Sequence, residues 1–347
     1  LRPRTGVGGR PPGRAAVAAA FRTSSGFARS ESREPVLNPV DIVPPPPPAA
    51  STSEIWVALI GNPNTGKTTL FNALTGGTAL TGNYPGVTVD KRVGTMRQTT
   101  GQPVRILDLP GTYSLAARSP DEMVAVDVLL GRRPDTPRPE VAVVVVDASN
   151  VERNLYLVTQ VMEAELPTVV ALNLVDEAEA QGIDVDAEAL SEALGVPVIP
   201  TVASRGDGVH ALRLAIQESI GRAAPERAWS WPPAVERAVE LLAQRLADVT
   251  SPLPPRAELR RALLDESGEA ERRLRRDGSE TAGQAIDEAR ASIEAAGVDL
   301  ASIEADVRHA FIARVGANSI DRPVEPEPTL SDRIDGVLTH RVWGTLA

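Results

Sequence analysis

The sequence predicts an α/β fold: a mostly parallel six-stranded sheet with helices on both faces, followed by a small all-α helical domain. Three observations carry this. Short apolar runs alternate with helix-length stretches from residue 55 to residue 220, the pattern of strand–helix units that wind a parallel sheet. The first apolar run ends in a glycine-rich turn that opens a helix. Past Trp231-Pro232-Pro233 the strand signals stop, and only helical periodicity continues.

The elements follow in order. Residues 55–60 form a buried strand, and the helix after the glycine-rich turn runs from 67 to 74. Residues 93–99 and 104–107 are the next two strands. Ser119-Pro120-Asp121-Glu122 is a capping box with proline at the first helical position, so it opens a helix to about residue 130. Residues 141–146, six apolar residues in a row, make a central strand buried on both faces. Asn150 is expected to cap a long helix ending near 165. Strands at 168–172 and 196–200 complete the sheet, and Gly208 precedes a closing helix to about 220. The helical domain is expected at 234–247, 256–264, 269–275, 280–296 and 300–314, with its charged faces as solvated surface.

Composition sets the outer limits. A net charge of −10 and a pI near 5.0 disfavour broad nucleic-acid binding. With no cysteine there are no disulfides, thiolate zinc sites or cysteine nucleophiles. No apolar run has the roughly 18 residues needed to span a bilayer. Residues 1–53 are rich in Arg, Ala, Gly and Pro, with an unbroken proline run at 44–48. Such a segment cannot bury a core and is expected to be disordered or extended. Its acid-poor start is that of an organellar transit peptide in composition; a disordered tail and translated upstream sequence are the alternatives, since the chain begins with Leu1.

Chemistry concentrates in four motifs. Gly61-Asn62-Pro63-Asn64-Thr65-Gly66-Lys67-Thr68 matches the phosphate-loop (P-loop) pattern G-x-x-x-x-G-K-[ST] between a strand and a helix. Backbone N–H groups along the loop and at the helix start would cradle phosphates, with Thr69 closing the set. Thr68 would offer its hydroxyl to Mg²⁺. Lys67 is one of two lysines in a chain whose other cations are nearly all arginine. Its narrow ammonium can enter between β- and γ-phosphates where a planar guanidinium cannot.

Asp108-Leu109-Pro110-Gly111 ends a strand with a carboxylate able to hold a Mg²⁺-bound water, and the Gly111 N–H can sense a γ-phosphate. Asn173-Leu174-Val175-Asp176 ends another. Asp176 can accept from N1–H and the 2-amino group of guanine, whereas adenine would leave it unpaired, so GTP is favoured over ATP by a factor on the order of 10⁴. In Thr201-Val202-Ala203-Ser204-Arg205-Gly206, small residues let the N–H groups of Ala203 and Ser204 approach the guanine carbonyl. This order of motifs resembles that of the translation-factor-like and Ras-like P-loop GTPases over residues 55–220. Those proteins usually carry Ser-Ala where this chain has Val202-Ala203.

Longer stretches resemble one family, the bacterial ferrous-iron transporter B (FeoB) proteins. They are Gly61 through Asn72, Asn83-Tyr84-Pro85-Gly86-Val87-Thr88-Val89, Asp108 through Leu115, Ser119-Pro120-Asp121-Glu122, and Asp147-Ala148-Ser149-Asn150-Val151-Glu152-Arg153-Asn154-Leu155-Tyr156-Leu157. The tail Leu330-Ser331-Asp332-Arg333-Ile334-Asp335 with His340, Arg341 and Gly344 looks like the approach to that family's first membrane helix. The resemblance implies a GTPase domain at 54–223, a helical regulatory domain at 224–318, and a linker at 319–347 leading to a membrane domain that carries Fe²⁺. The GTPase would then face the cytoplasm at a bacterial inner membrane. It leaves room for small cytosolic regulators and for homo-oligomers of the full-length protein.

By the same resemblance Thr88 closes on Mg²⁺ and γ-phosphate, and Asn64 holds K⁺ beside the phosphates. The residue after Asp-x-x-Gly is Thr112, not the glutamine that many GTPases use to orient water, so slow, K⁺-stimulated hydrolysis is expected. Residues 82–89 and 111–118 are the expected switches. A ribosome-assembly or RNA-modification GTPase and a nucleotide-binding scaffold are the alternatives. Glu177, Glu179, Asp121 and Glu122 are helix carboxylates and His210, His309 and His340 are scattered, so none is assigned a metal. Trp56, Trp229, Trp231 and Trp343 are expected to pack cores or a domain junction.

Overall fold

The computed structural model describes residues 54–96, 102–116, 119–247, 249–251, 253–277 and 279–322. The readings made for 1–53, for 97–99, for 117–118 and for the tail from 323 lie outside these residues.

Seven strands form one sheet, not six. They are β1 (Ile55–Gly61), β2 (Ala79–Asn83), β3 (Asp90–Met96), β4 (Val104–Asp108), β5 (Val141–Asp147), β6 (Thr168–Asn173) and, after the short β7 (Asp184–Val185), β8 (Val198–Pro200). The order is β2-β3-β4-β1-β5-β6-β8. Pairing is parallel from β4 across to β8 and antiparallel where β3 joins β4 and β2 joins β3. The extra strand is β2. Four of its five residues are exposed, so it lacks the alternating apolar signal that marks a half-buried strand. Its pairing with β3 turns the expected first switch into a hairpin.

β1, β5 and β6 bury nearly every residue because helices cover both faces. One face packs under α1 (Lys67–Thr75) and α6 (Val209–Ser219). The other packs under α2 (Pro120–Leu129), α3 (Val151–Met162) and α5 (Ala187–Leu194), with α4 (Val175–Ala180) beside the end of β6. At the start of α2 the capping box is formed: Ser119 Oγ accepts from the Glu122 N–H and the Glu122 carboxylate accepts from the Ser119 N–H. Asn150 stands at the start of α3 but does not cap it; its side chain turns back to Asp147 and Ser149.

The helical part has its own core, built from α7 (Pro233–Leu246), α8 (Arg256–Leu264), α9 (Glu269–Asp277) and α10 (Ser279–Ala295). The last helix, α11 (Ile303–Ser319), packs instead on α3 and α5, burying Phe311, Ile312 and Val315 in the core of the sheet domain. Directly after it β9 (Ile320–Asp321) pairs antiparallel with β7 (Asp184–Val185). The charged faces of these helices are not all solvated surface. Glu258, Arg260, Glu271 and Arg308 are buried, because they meet ion-pair partners across helix contacts. Arg308 lies among the rings of Tyr156, Trp229 and Trp231, which puts two of the tryptophans at the junction expected of them. Among the described residues no helix is long and apolar enough to cross a membrane.

Candidate nucleotide site

Parallel strands deliver their C-terminal ends to one edge of the sheet, so the loops after β1, β4, β6 and β8 converge there. Gly61 to Thr68 turns from β1 into α1 through two left-handed residues, Asn64 (φ 67°) and Gly66 (φ 78°). Asparagine tolerates that conformation, and Gly66 has no alternative. A Cβ at Gly66 would lie 2.3 Å from the Asn173 amide nitrogen.

Asn173 is fully buried and joins three loops. Its Nδ2 donates to the Thr65 carbonyl at 2.9 Å, and its Oδ1 accepts from the Ala203 N–H at 3.1 Å and the Thr201 hydroxyl at 3.2 Å. The Ala203 N–H expected at a guanine carbonyl is therefore engaged with Asn173, and Ser204 supplies the next N–H along the loop. Asp176, on the first turn of α4, accepts from Arg205 at 3.0 Å through Oδ2. Its Oδ1 is buried with no partner among the described residues. A buried, unpaired carboxylate oxygen is costly and calls for a donor.

Lys67 and Asp108 meet directly, and Arg92 of β3 approaches the second Asp108 oxygen at 3.7 Å. The expected phosphate cation and metal-side carboxylate thus lie in one cluster with Thr68 at the head of α1. Gly111 and Thr112 rest on the phosphate loop: the Thr112 N–H donates to the Gly61 carbonyl at 3.2 Å, and Gly111 faces Pro63. The Thr112 hydroxyl is buried and directed to the Ser114 carbonyl and to Glu122, not outward. Thr88 is exposed on the turn that closes the β2–β3 hairpin, and no described hydrogen bond links it to the phosphate loop. Among the described residues no three His, Asp or Glu side chains gather as metal ligands.

The family model for ferrous iron transport protein B matches residues 55–216. The Fe(2+) transporter FeoB of Escherichia coli K12 is 38% identical over 296 residues, which is 84% of this chain and 36% of that protein. A fused Fe(2+) transport protein A/transporter FeoB of Porphyromonas gingivalis is 37% identical over 303 residues. A GDP-bound mutant of S. thermophilus NFeoB aligns over its whole length and 77% of this chain, at 34% identity and a TM-score of 0.67.

The chain belongs to the FeoB family.

The cytosolic domain of L. pneumophila FeoB aligns similarly, at 32% identity and a TM-score of 0.61. The chain spans about a third of the length of the curated FeoB relatives it matches. Against this FeoB framework, several residues beside the site make contacts that the sequence motifs did not mark. Arg205 and Arg92 hold the two aspartates. Tyr84 is buried under the hairpin between Lys91 and Arg133, whose cations lie 5.3 and 5.0 Å from its ring centre, and burial raises its phenol above the ordinary range. Lys91, the second lysine, also bonds Asp135 and Thr136, tying the hairpin to the loop before β5. The stretch Asn83 to Val89 was expected as a switch and not as part of a hairpin, and Asp135 and Arg133 carried no signal.

Proposed function

We propose that this chain is the GTP-binding and GTP-hydrolysing part of a ferrous-iron transporter of the bacterial inner membrane. The sheet domain (54–223) binds nucleotide, and the helical domain (224–318) regulates it. The observation that carries the guanine reading is the buried, unpaired Oδ1 of Asp176, on a carboxylate whose other oxygen Arg205 fixes. Guanine offers two donors to such a carboxylate, and adenine's amino group stands where guanine has an acceptor. Ser204 supplies an N–H for the guanine carbonyl.

Lys67 would leave Asp108 for the β/γ-phosphates and share their charge. Thr68 and Asp108 suit Mg²⁺, a hard cation that takes few protein oxygens and completes its shell with water and phosphate. Bound Mg²⁺ would supply charge neutralisation at the β- and γ-oxygens. Thr88 would have to move inward with the hairpin to meet it, an order change of the kind GTPase switches make. Asn64 sits on the loop where a K⁺ could share the phosphate charge. With the Thr112 hydroxyl occupied by Ser114 and Glu122, no side chain at that position orients water, which supports slow intrinsic hydrolysis.

GTP turnover measured in KCl and in NaCl tests the enzymatic half. Turnover stimulated by K⁺ and lost in Asn64→Ala is expected; equal rates in both salts sink the potassium proposal, and negligible turnover favours a scaffold. Fe²⁺ uptake by cells carrying the full-length protein, with and without Lys67→Ala, tests the transport half.

A further inference from the structure

One buried side chain connects the Asp-x-x-Gly loop to the last helix. Gln160, on the final turn of α3, is 3% exposed. Its Oε1 accepts from the Leu115 N–H at 2.7 Å, four residues past Gly111. Its Nε2 donates to Glu304 Oε1 of α11 at 3.1 Å. Glu304 is held in turn by Arg261 of α8 at 2.8 Å and by Arg308 at 3.0 Å, and Arg308 reaches Glu163 at 2.5 Å. Burial disfavours charge on Glu304, but Arg261 and Arg308 outweigh it and hold the carboxyl below its ordinary range, so it faces Gln160 as an acceptor.

A side-chain amide of this length suits the arrangement. An N–H meets one end and a carboxylate the other, so the residue between must accept and donate at once. Glutamate would set two carboxylates against each other, leucine would leave the Leu115 N–H unpaired, and asparagine is a methylene short. Beside it, between α2 and helices α8 and α9, lies a cavity of about 70 Å³ bordered by Leu115, Met123, Leu130, Ala257 and Ala270. Close-packed interiors resist displacement, and this pocket, partly open to solvent, leaves the loop and α2 less tightly packed on that side.

We propose that Gln160 is a positioning residue through which the helical domain controls nucleotide retention. The proposal rests on the guanine-nucleotide reading above. By holding Leu115, Gln160 keeps Gly111 and Thr112 seated on the phosphate loop, where the Thr112 N–H meets the Gly61 carbonyl. Loosening that seat loosens the floor beneath the phosphates. Because coupling is reciprocal, a nucleotide that lifts the loop also loosens the hold of Gln160 on Glu304 and, through Arg261, on α8.

The test is stopped-flow release of a fluorescent GDP analogue from the whole chain, run beside thermal unfolding. Gln160→Ala is expected to release GDP about fivefold faster or more, the low end of usual coupling. Gln160→Glu keeps the acceptor for Leu115 but repels Glu304, and should also release faster. The exchange Gln160→Glu with Glu304→Gln restores a donor opposite an acceptor and should return release toward the wild-type rate. Glu304→Gln combined with Gln160→Ala should be non-additive. A wild-type release rate in both Gln160 variants, or an exchange that rescues nothing, overturns the relay; lowered melting temperature with unchanged release makes Gln160 merely structural. Failure of the wild-type chain to bind guanine nucleotide overturns the functional reading itself.

Discussion

Asn173 holds Thr65 through its amide nitrogen and Ala203 through its amide oxygen, so one buried side chain sets the spacing between the phosphate loop and the base-side loop. Asn173→Ala strands the Thr65 carbonyl and the Ala203 N–H together. The expected cost is about 3 kcal/mol of stability, from one to three per buried unsatisfied group. Urea unfolding measures it, and GDP affinity should fall with it.

Asp176→Asn changes the donor pattern read at the base. An amide can donate where the carboxylate only accepts, so xanthine, with a carbonyl in place of the 2-amino group, becomes the better partner. GTP binding should weaken by a factor on the order of 10² or more, and XTP should gain. Competition between the two nucleotides decides it.

Asn64→Gly separates conformation from chemistry. Glycine takes φ 67° readily, so stability should change by less than about 1 kcal/mol. K⁺ stimulation of turnover should nevertheless disappear. Stimulation that survives would mean that Asn64 serves only the shape of the loop.

Tyr84 gives the chain an alkaline limit. Burial raises its folded phenol above the unfolded value of 10.0, with Arg133 opposing and Asp135 and Asp108 assisting. A raised folded value means that the contribution is complete below pH 10.0 and is lost as pH rises past it, because the unfolded chain releases the proton first. Tyr84→Phe should flatten that decline and, by removing a buried hydroxyl with no partner among the described residues, add about 1 kcal/mol at neutral pH. Urea unfolding at neutral and alkaline pH compares the two proteins.

Arg308→Met removes the cation shared by Glu163 and Glu304. Leaving buried carboxylates short of a partner costs about 3 to 5 kcal/mol. The loss should appear in denaturant unfolding and should be smaller in a variant that also carries Glu304→Gln.

Much of the sheet was legible because β1, β5 and β6 are buried on both faces and advertise it as apolar runs. β2 was missed because it is exposed, and β7 and β9 because two residues carry no period. The turn from β1 into α1 was legible because its left-handed backbone at Asn64 and Gly66 fixes residue type locally. The division of labour between Asn173 and Asp176 was not, since it depends on which loops converge. Gln160 and Glu304 stand 144 residues apart in sequence, and nothing near either one marks it as half of a contact. The buried arginines of the helical domain misled for a related reason: a charged residue looks like surface until its partner on another helix is placed.

The short β7–β9 ladder sets where mechanical load enters. The Asp186 N–H bonds the Ser319 carbonyl at 2.9 Å, β9 zips to β7, and Arg322 grips Glu152 of α3 at 2.8 Å. Tension on the backbone after Arg322 is therefore borne by the loop ahead of α5 and by α3, the helix that carries Gln160. The bundle α7 to α10 lies off that path and meets it through the Arg261–Glu304 pair between α8 and α11.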